Sequence, residues 1–288
     1  MVADFLPASA NAIADVDANP TGSEASALLQ QLQLRVVQIP PDSGAEISTT
    51  YVHAAPEFSV SRAVPIVLLS GFDSSLLEFR RLFPRLATQR ETWAIDLLGF
   101  GFTQVMPPVP VNPASIRHHL LKVVQTWIDQ PVTLVGASLG GAVAMDFALH
   151  HPDWVRSLVL IDSVGFSGSF PIGQFLRRSL IELGADWLRL RKQIALIAAS
   201  NLPGVERSLV DAIRCSQLHQ EMTGWRDAIA SFTKSGGYDL SDRIHHIHHP
   251  TLILWGTADD VLGTADAMRF REAIAGSSLV WIEKAGHA

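Results

Sequence analysis

Ser138 stands in Gly136-Ala137-Ser138-Leu139-Gly140, a G-x-S-x-G string joining a buried apolar segment to a helical one. A serine hydroxyl is a weak nucleophile at neutral pH and attacks a carbonyl only when a neighbouring base takes its proton. A tight strand-to-helix turn sets that hydroxyl at a helix N-terminus, where free N–H groups and the positive dipole end face developing negative charge. Such a turn leaves no room for side chains at the elbow glycines Gly136 and Gly140. The competing reading is a glycine-rich turn that lets a helix pack close to a sheet. The strand–turn–helix setting favours the nucleophile.

The base and its orienting acid come later in the chain. Leu254-Trp255-Gly256-Thr257-Ala258-Asp259 puts an acid in the loop after a strand, and Ala285-Gly286-His287 does the same for a histidine after the last strand. The order serine, acid, histidine is the one expected with a G-x-S-x-G elbow. Asp260 is the neighbouring rival for the acid, and Asp162, at the end of an earlier strand, is another. Asp259 could instead be a turn or cap carboxylate, and His287 an ordinary surface histidine. An acyl transfer also needs donors for the oxyanion. The backbone N–H of Leu139 would be one, and that of Phe72, in Ser70-Gly71-Phe72-Asp73-Ser74-Ser75, is the candidate second.

Positioning these groups requires a sheet. Residues 34–39 and 47–53 alternate and pair as a hairpin around 40–44. Segments 65–69, 92–97, 132–136, 157–162 and 251–255 are continuous and apolar, and strand 278–282 follows the helix 265–274. Helical stretches separate them, at 76–86, from Asn112-Pro113 to 130, and from the elbow to 150. Strands without alternation, separated by helices, mean a mostly parallel sheet covered on both faces. From 164 to 249 the strand pattern lapses into helical periodicity, with apolar stripes through Leu176, Leu180, Leu183, Leu188, Leu190, Ile194 and Ile197. Three parts are therefore expected. Residues 1–22 form a flexible lead, 23–163 with 250–288 a core, and 164–249 a helical insertion.

Composition narrows the function. The chain has 288 residues, 48% of them hydrophobic, and a net charge of −6 with both signs mixed along it. That balance argues against a nucleic-acid partner, which needs a basic stripe. The one cysteine, Cys215, excludes an internal disulfide and suits a reducing compartment. Residues 1–10 lack the basic start and apolar block of a signal peptide, and no window reaches about 18 apolar residues. A cytoplasmic protein with no membrane span is expected.

With these residues in view the chain resembles the α/β-hydrolase superfamily, especially its lidded esterase-like and meta-cleavage C–C hydrolase branches. The resemblance runs from about residue 34 to 288. It rests on SGFDSS, the Asp96-Leu97-Leu98-Gly99-Phe100-Gly101 loop, GASLGG, His151-Pro152-Asp153, LWGTADD and AGH. It implies the α/β-hydrolase fold, a mostly parallel eight-stranded sheet with a helical cap at 164–249, and it aligns Asp259 with the family's acid. Ser70 departs from the histidine that often precedes the loop glycine. The sequence also ends at Ala288, where the family usually continues through a helix; either the chain is shortened or the loop of His287 is poorly supported.

Other features are expected to be structural. The run Arg243–Pro250, with four histidines, reads as a connecting segment rather than a metal site. His118 and His119 are expected at the surface, Cys215 as filler, and Phe170, Phe175, Trp187, Trp225 and Phe232 mostly as core. The resulting expectation is a serine hydrolase that needs no cofactor and no metal. Its partner is a small or medium apolar ester or related carbonyl compound. The alternatives are a C–C bond hydrolase or thioesterase with the same residues, and a non-catalytic member of the fold that binds a small ligand.

Overall fold

The computed structural model describes residues 23–38, 46–57, 63–105, 109–202 and 207–287. In chain order the elements are α1 (Ser23–Leu29), β1 (Gln33–Gln38), β2 (Glu46–Ala54), β3 (Ile66–Leu69), α2 (Phe83–Ala87), β4 (Thr92–Ile95) and β5 (Gln104–Val105). There follow α3 (Pro113–Val123), β6 (Val132–Ala137), α4 (Leu139–His150), β7 (Val155–Ile161), α5 (Arg178–Asn201), α6 (Arg207–Leu218), α7 (Trp225–Ser235), β8 (Thr251–Gly256), α8 (Ala265–Ala273) and β9 (Ser278–Ile282). Short 3-10 turns connect several of them.

Eight strands form one sheet in the order β1-β2-β4-β3-β6-β7-β8-β9. From β4 to β9 neighbouring strands run parallel, while β2 is antiparallel to β1 and β4. The expected hairpin pairing of β1 with β2 is present, from Gln33↔Tyr51 to Gln38↔Glu46. Its connection, 39–45, lies outside the described residues, as does the expected lead at 1–22. The two-residue β5 adds a ninth strand beside β2 that the sequence pattern does not announce.

All four residues of β3 are buried, because this strand lies mid-sheet with helices above and below. Its side chains alternate between two cores. Val67 and Leu69 join Ile116, Leu120, Val143 and Phe147 on one face. Leu68 joins Leu28, Leu77, Phe83 and Leu218 on the other. Helix α3 starts at a capping box in which Asn112 accepts the Ser115 N–H and Ser115 Oγ accepts the Asn112 N–H.

Three expectations about burial need correction. His119 is 1% exposed rather than superficial, with Nε2 2.6 Å from Thr49 Oγ1, because it lies on the core-facing side of α3. Trp225 and Phe232 are core, but Phe175 and Trp187 are exposed. Most of the expected stripe on α5 faces outward, since the opposite side of that helix, with Ile181 and Ala185, is the one packed on the protein. Cys215 is buried, and burial pushes its thiol up to about 12. No helix among the described residues is long and apolar enough to cross a membrane.

Candidate active site

Ser138 lies between the end of β6 and the start of α4 with φ +49° and ψ −114°, a left-handed conformation costly for a side-chain-bearing residue. Neighbouring backbone holds it there. Its N–H donates to Ile161 O at 2.9 Å, and its C=O accepts from Gly141 and Val164 at 3.1 Å each. The flanking glycines are required by close approach. A Cβ on Gly136 would sit 2.3 Å from Gly140 O, and one on Gly140 would sit 2.0 Å from Leu69 O.

Folding brings the acid and the histidine to this serine. His287 Nε2 is 2.9 Å from Ser138 Oγ, and His287 Nδ1 is 2.9 Å from Asp259 Oδ2. Asp259 Oδ1 accepts the N–H groups of Val261 and Leu262 at 2.8 and 2.9 Å. Burial opposes the charge on Asp259, yet hydrogen bonds from His287, Leu262 and Val261 outweigh it and hold the carboxyl below the usual range. An ionised Asp259 keeps the proton on Nδ1, which leaves Nε2 as an acceptor aimed at the Ser138 hydroxyl.

The loop carrying His287 is tied to the loop carrying Asp259. Thr257 N–H donates to Ile282 O at 3.0 Å, Ala258 N–H to Ala285 O at 2.9 Å, and Lys284 N–H to Thr257 Oγ1 at 2.8 Å. Gly256 allows this, since a Cβ there would meet Ala285 O at 2.4 Å. These bonds hold residues 282–285, which lead to His287, against the acid loop.

The rival acids separate by environment. Asp260 is exposed on the same turn. Asp162 is buried, takes the Gly256 N–H at 2.8 Å, and comes within 4.8 Å of Asp259 and His287 as one group of potential ligand atoms. The histidines of 243–250 are not part of that group.

Opposite Ser138 runs the loop after β3. Leu139 opens α4, so its N–H has no acceptor within the helix; Phe72 lies one residue beyond Gly71, where a Cβ would come 3.3 Å from Ser138 Cβ. Two groups fix this loop, and the sequence reading missed both roles. Glu78 Oε2 accepts the Gly71 N–H at 3.0 Å. Burial raises the Glu78 carboxyl above its usual range, against hydrogen bonds from Ser74 and Gly71 and the charges of His287 and Lys192. Ser70, in the position where the family often has histidine, makes no hydrogen bond through its buried Oγ among the described residues.

Asp73 is the second anchor. It has φ +51° and accepts the Trp225 indole N–H at 2.7 Å and the Gln220 amide at 2.7 Å. His219 Nε2 lies 2.9 Å away and Lys192 Nζ 2.8 Å. Burial works against its charge, but His219 and Lys192 hold the carboxyl well below the usual range. The sequence signal for such a hub is weak, because its four partners lie over a hundred residues downstream. Above the loop the Phe72 ring packs on Phe170, Phe232 and Phe100 at centroid distances of 5.2, 5.9 and 5.7 Å.

Residues 66–288 match the profile of a family described as the alpha/beta hydrolase family. The chain is 37% identical over 227 residues to the alpha/beta hydrolase domain-containing protein VTE7 of Arabidopsis thaliana, covering 77% of this chain and 68% of that one. It is 29% identical over 239 residues to a 2-hydroxy-6-oxo-2,4-heptadienoate hydrolase of Pseudomonas putida, covering 77% and 82%. Among solved structures, a thermophilic esterase from Thermogutta terrifontis superposes with a TM-score of 0.70 at 21% identity, covering 88% of this chain and 91% of that one.

Proposed function

The chain belongs to the alpha/beta hydrolase family, and from that premise we propose that it is a serine hydrolase cleaving a small or medium apolar carboxylic ester through an acyl-enzyme. The observation that carries this reading is the hydrogen-bonded series Asp259–His287–Ser138, at 2.9 Å per link, on a strained elbow. Residues 164–249 are its cap.

In the forward step the Ser138 oxygen bonds to the ester carbonyl carbon while His287 Nε2 takes the hydroxyl proton. The carbonyl oxygen becomes an oxyanion held by the Phe72 and Leu139 N–H groups. Collapse of the adduct breaks the carbon–oxygen bond to the alcohol, which leaves with the proton from His287. Water then repeats the sequence on the acyl-enzyme and frees the acid. Asp259 stabilises the imidazolium formed in each half. The half-buried rings of Phe72 and Phe170, backed by the core rings of Phe100 and Phe232, support an apolar acyl group beside Ser138.

The similarity to a heptadienoate hydrolase favours a second reading, in which the same residues cleave a carbon–carbon bond. That relative's name implies a carboxylate on the substrate. Lys192, a basic group that reaches the loop of Phe72, is already engaged by Asp73, which supports the uncharged ester instead.

A chain-length series of p-nitrophenyl esters tests the reading, together with fluorophosphonate labelling of wild type and Ser138→Ala. Turnover and labelling by wild type, both lost in the variant, are expected. An active-site serine that neither turns over these esters nor labels overturns it, and faster cleavage of a vinylogous diketone would favour the carbon–carbon reading.

A further inference from the structure

Helix α5 is apolar on two opposite sides, and only one of them is covered by the described residues. Ile181 and Ala185 are buried where α5 packs on α7 and α6. On the other side Leu180, Leu183, Trp187, Leu190, Ile194 and Ile197 are between 52% and 64% exposed. At 100° per residue these six fall within an arc of about 100°. They form a ridge along a 24-residue helix, roughly 36 Å long. Ile172 and Phe175, the latter 86% exposed, are further exposed apolar side chains just before the helix begins. Isolated surface leucines are ordinary; a contiguous ridge of this length marks an interaction surface.

The charges beside the ridge say what covers it. The chain carries −6 overall, yet at 100° per residue the basic residues nearest the ridge are Arg177 and Arg191, while Lys192 is held by Asp73 and Arg178 by Glu182 and Asp227 on the other side of the helix. The acids of α5 are already paired, Glu182 with Arg178 at 2.7 Å and Asp186 with Arg226 at 2.6 Å. Arg191 stacks over the Trp187 ring at 5.4 Å, placing a cation and an indole at one level. That pairing suits a headgroup boundary, where an amphipathic ring and a long basic side chain each keep one end wet. A second copy of the chain would set the same basic pair against itself, which like-charge repulsion disfavours.

We propose that the outward face of α5, with Ile172 and Phe175, docks on an anionic lipid surface and lies in the plane of the headgroup–acyl boundary. A helix with one lipid-facing side and one protein-packed side lies on a membrane rather than crossing it. The segment that leads into α5 begins at the aromatic cluster, since Gly173 N–H donates to Phe170 O at 2.9 Å and Phe170 packs on Phe72. An apolar molecule dissolved in that bilayer would reach the protein beside the site. Docking itself does not depend on the chemistry of Ser138.

The test is flotation of the full chain with vesicles of phosphatidylcholine alone or mixed equally with phosphatidylglycerol. Wild type is expected to float with the mixed vesicles and much less with the neutral ones, and added salt should release it. Leu183→Glu with Leu190→Glu should lower the vesicle partition by about tenfold or more. Because both residues are exposed, thermal midpoint and turnover of a soluble p-nitrophenyl ester should stay near wild type. Arg177→Gln with Arg191→Gln should selectively weaken binding to the anionic vesicles. No flotation with either vesicle overturns the proposal. So does a dimer seen by light scattering without lipid that the double leucine variant dissociates, since the ridge would then be covered by a second copy.

Discussion

The carboxyl of Glu78 accepts the backbone N–H of Gly71 at 3.0 Å, and this one bond holds the second of the two residues between the end of β3 and Phe72. Glu78 lies half-buried on the short 3-10 turn Leu76–Phe79, behind the loop that faces Ser138. It takes over a bracing task for which Ser70 has no bond to offer.

Glu78 is a positioning residue, and its burial keeps it protonated beyond the usual carboxyl range. Glu78→Gln, neutral and similar in shape, should keep kcat within a few-fold of wild type. Glu78→Ala strands the Gly71 N–H and should lower kcat by roughly tenfold to a hundredfold with little change in KM, about 1–3 kcal/mol for an orphaned buried donor. Ester pH–rate profiles should show Glu78→Gln losing the step that comes from ionising Glu78. Equal rates for both variants would remove Glu78 from the account.

The two buried acids near His287 can be told apart by conservative exchange. Asp259→Asn should favour the wrong imidazole tautomer and lower kcat by about a thousandfold or more. Asp162→Asn keeps an oxygen for the Gly256 N–H and should stay within about tenfold. The reverse ranking in steady-state kinetics would make Asp162 the orienting acid.

His119 makes stability fall in acid. Burial, with a smaller contribution from His118, pushes its imidazole down to about 3. Its unfolded value is about 6.5. As pH falls below 6.5 the unfolded chain gains a proton that the folded one refuses, so stability is lost progressively between about 6.5 and 3. From pH 7 to 5 this linkage is worth about 2 kcal/mol. Denaturant titrations should show His119→Gln losing about that much less stability over the interval. An unchanged acid slope would assign the effect elsewhere.

Much of the site is legible along the chain because each part is a local pattern. Gly136 and Gly140 frame Ser138 at the end of one apolar run, while Asp259 and His287 each follow the end of another. In a parallel sheet those ends lie on one edge, so reading the strands is nearly enough to bring the three together. Glu78 and Asp73 escape such a reading because their roles are bonds to distant or backbone partners that no spacing announces. The side chains of α5 escape it for another reason. Their three-and-four spacing reports a face, but a face of leucines looks the same whether or not the fold covers it.

The alternation of buried strands and helices, the elbow around Ser138, and the order of the acid and the histidine can all be read along the chain. These follow from residue type and period, which act over a few neighbours. The distance from His287 to Ser138, the bracing of Gly71 by Glu78, the burial of His119 and the exposure of the α5 ridge come from the folded arrangement alone. Each depends on which surfaces meet, and that is settled by packing across the whole chain.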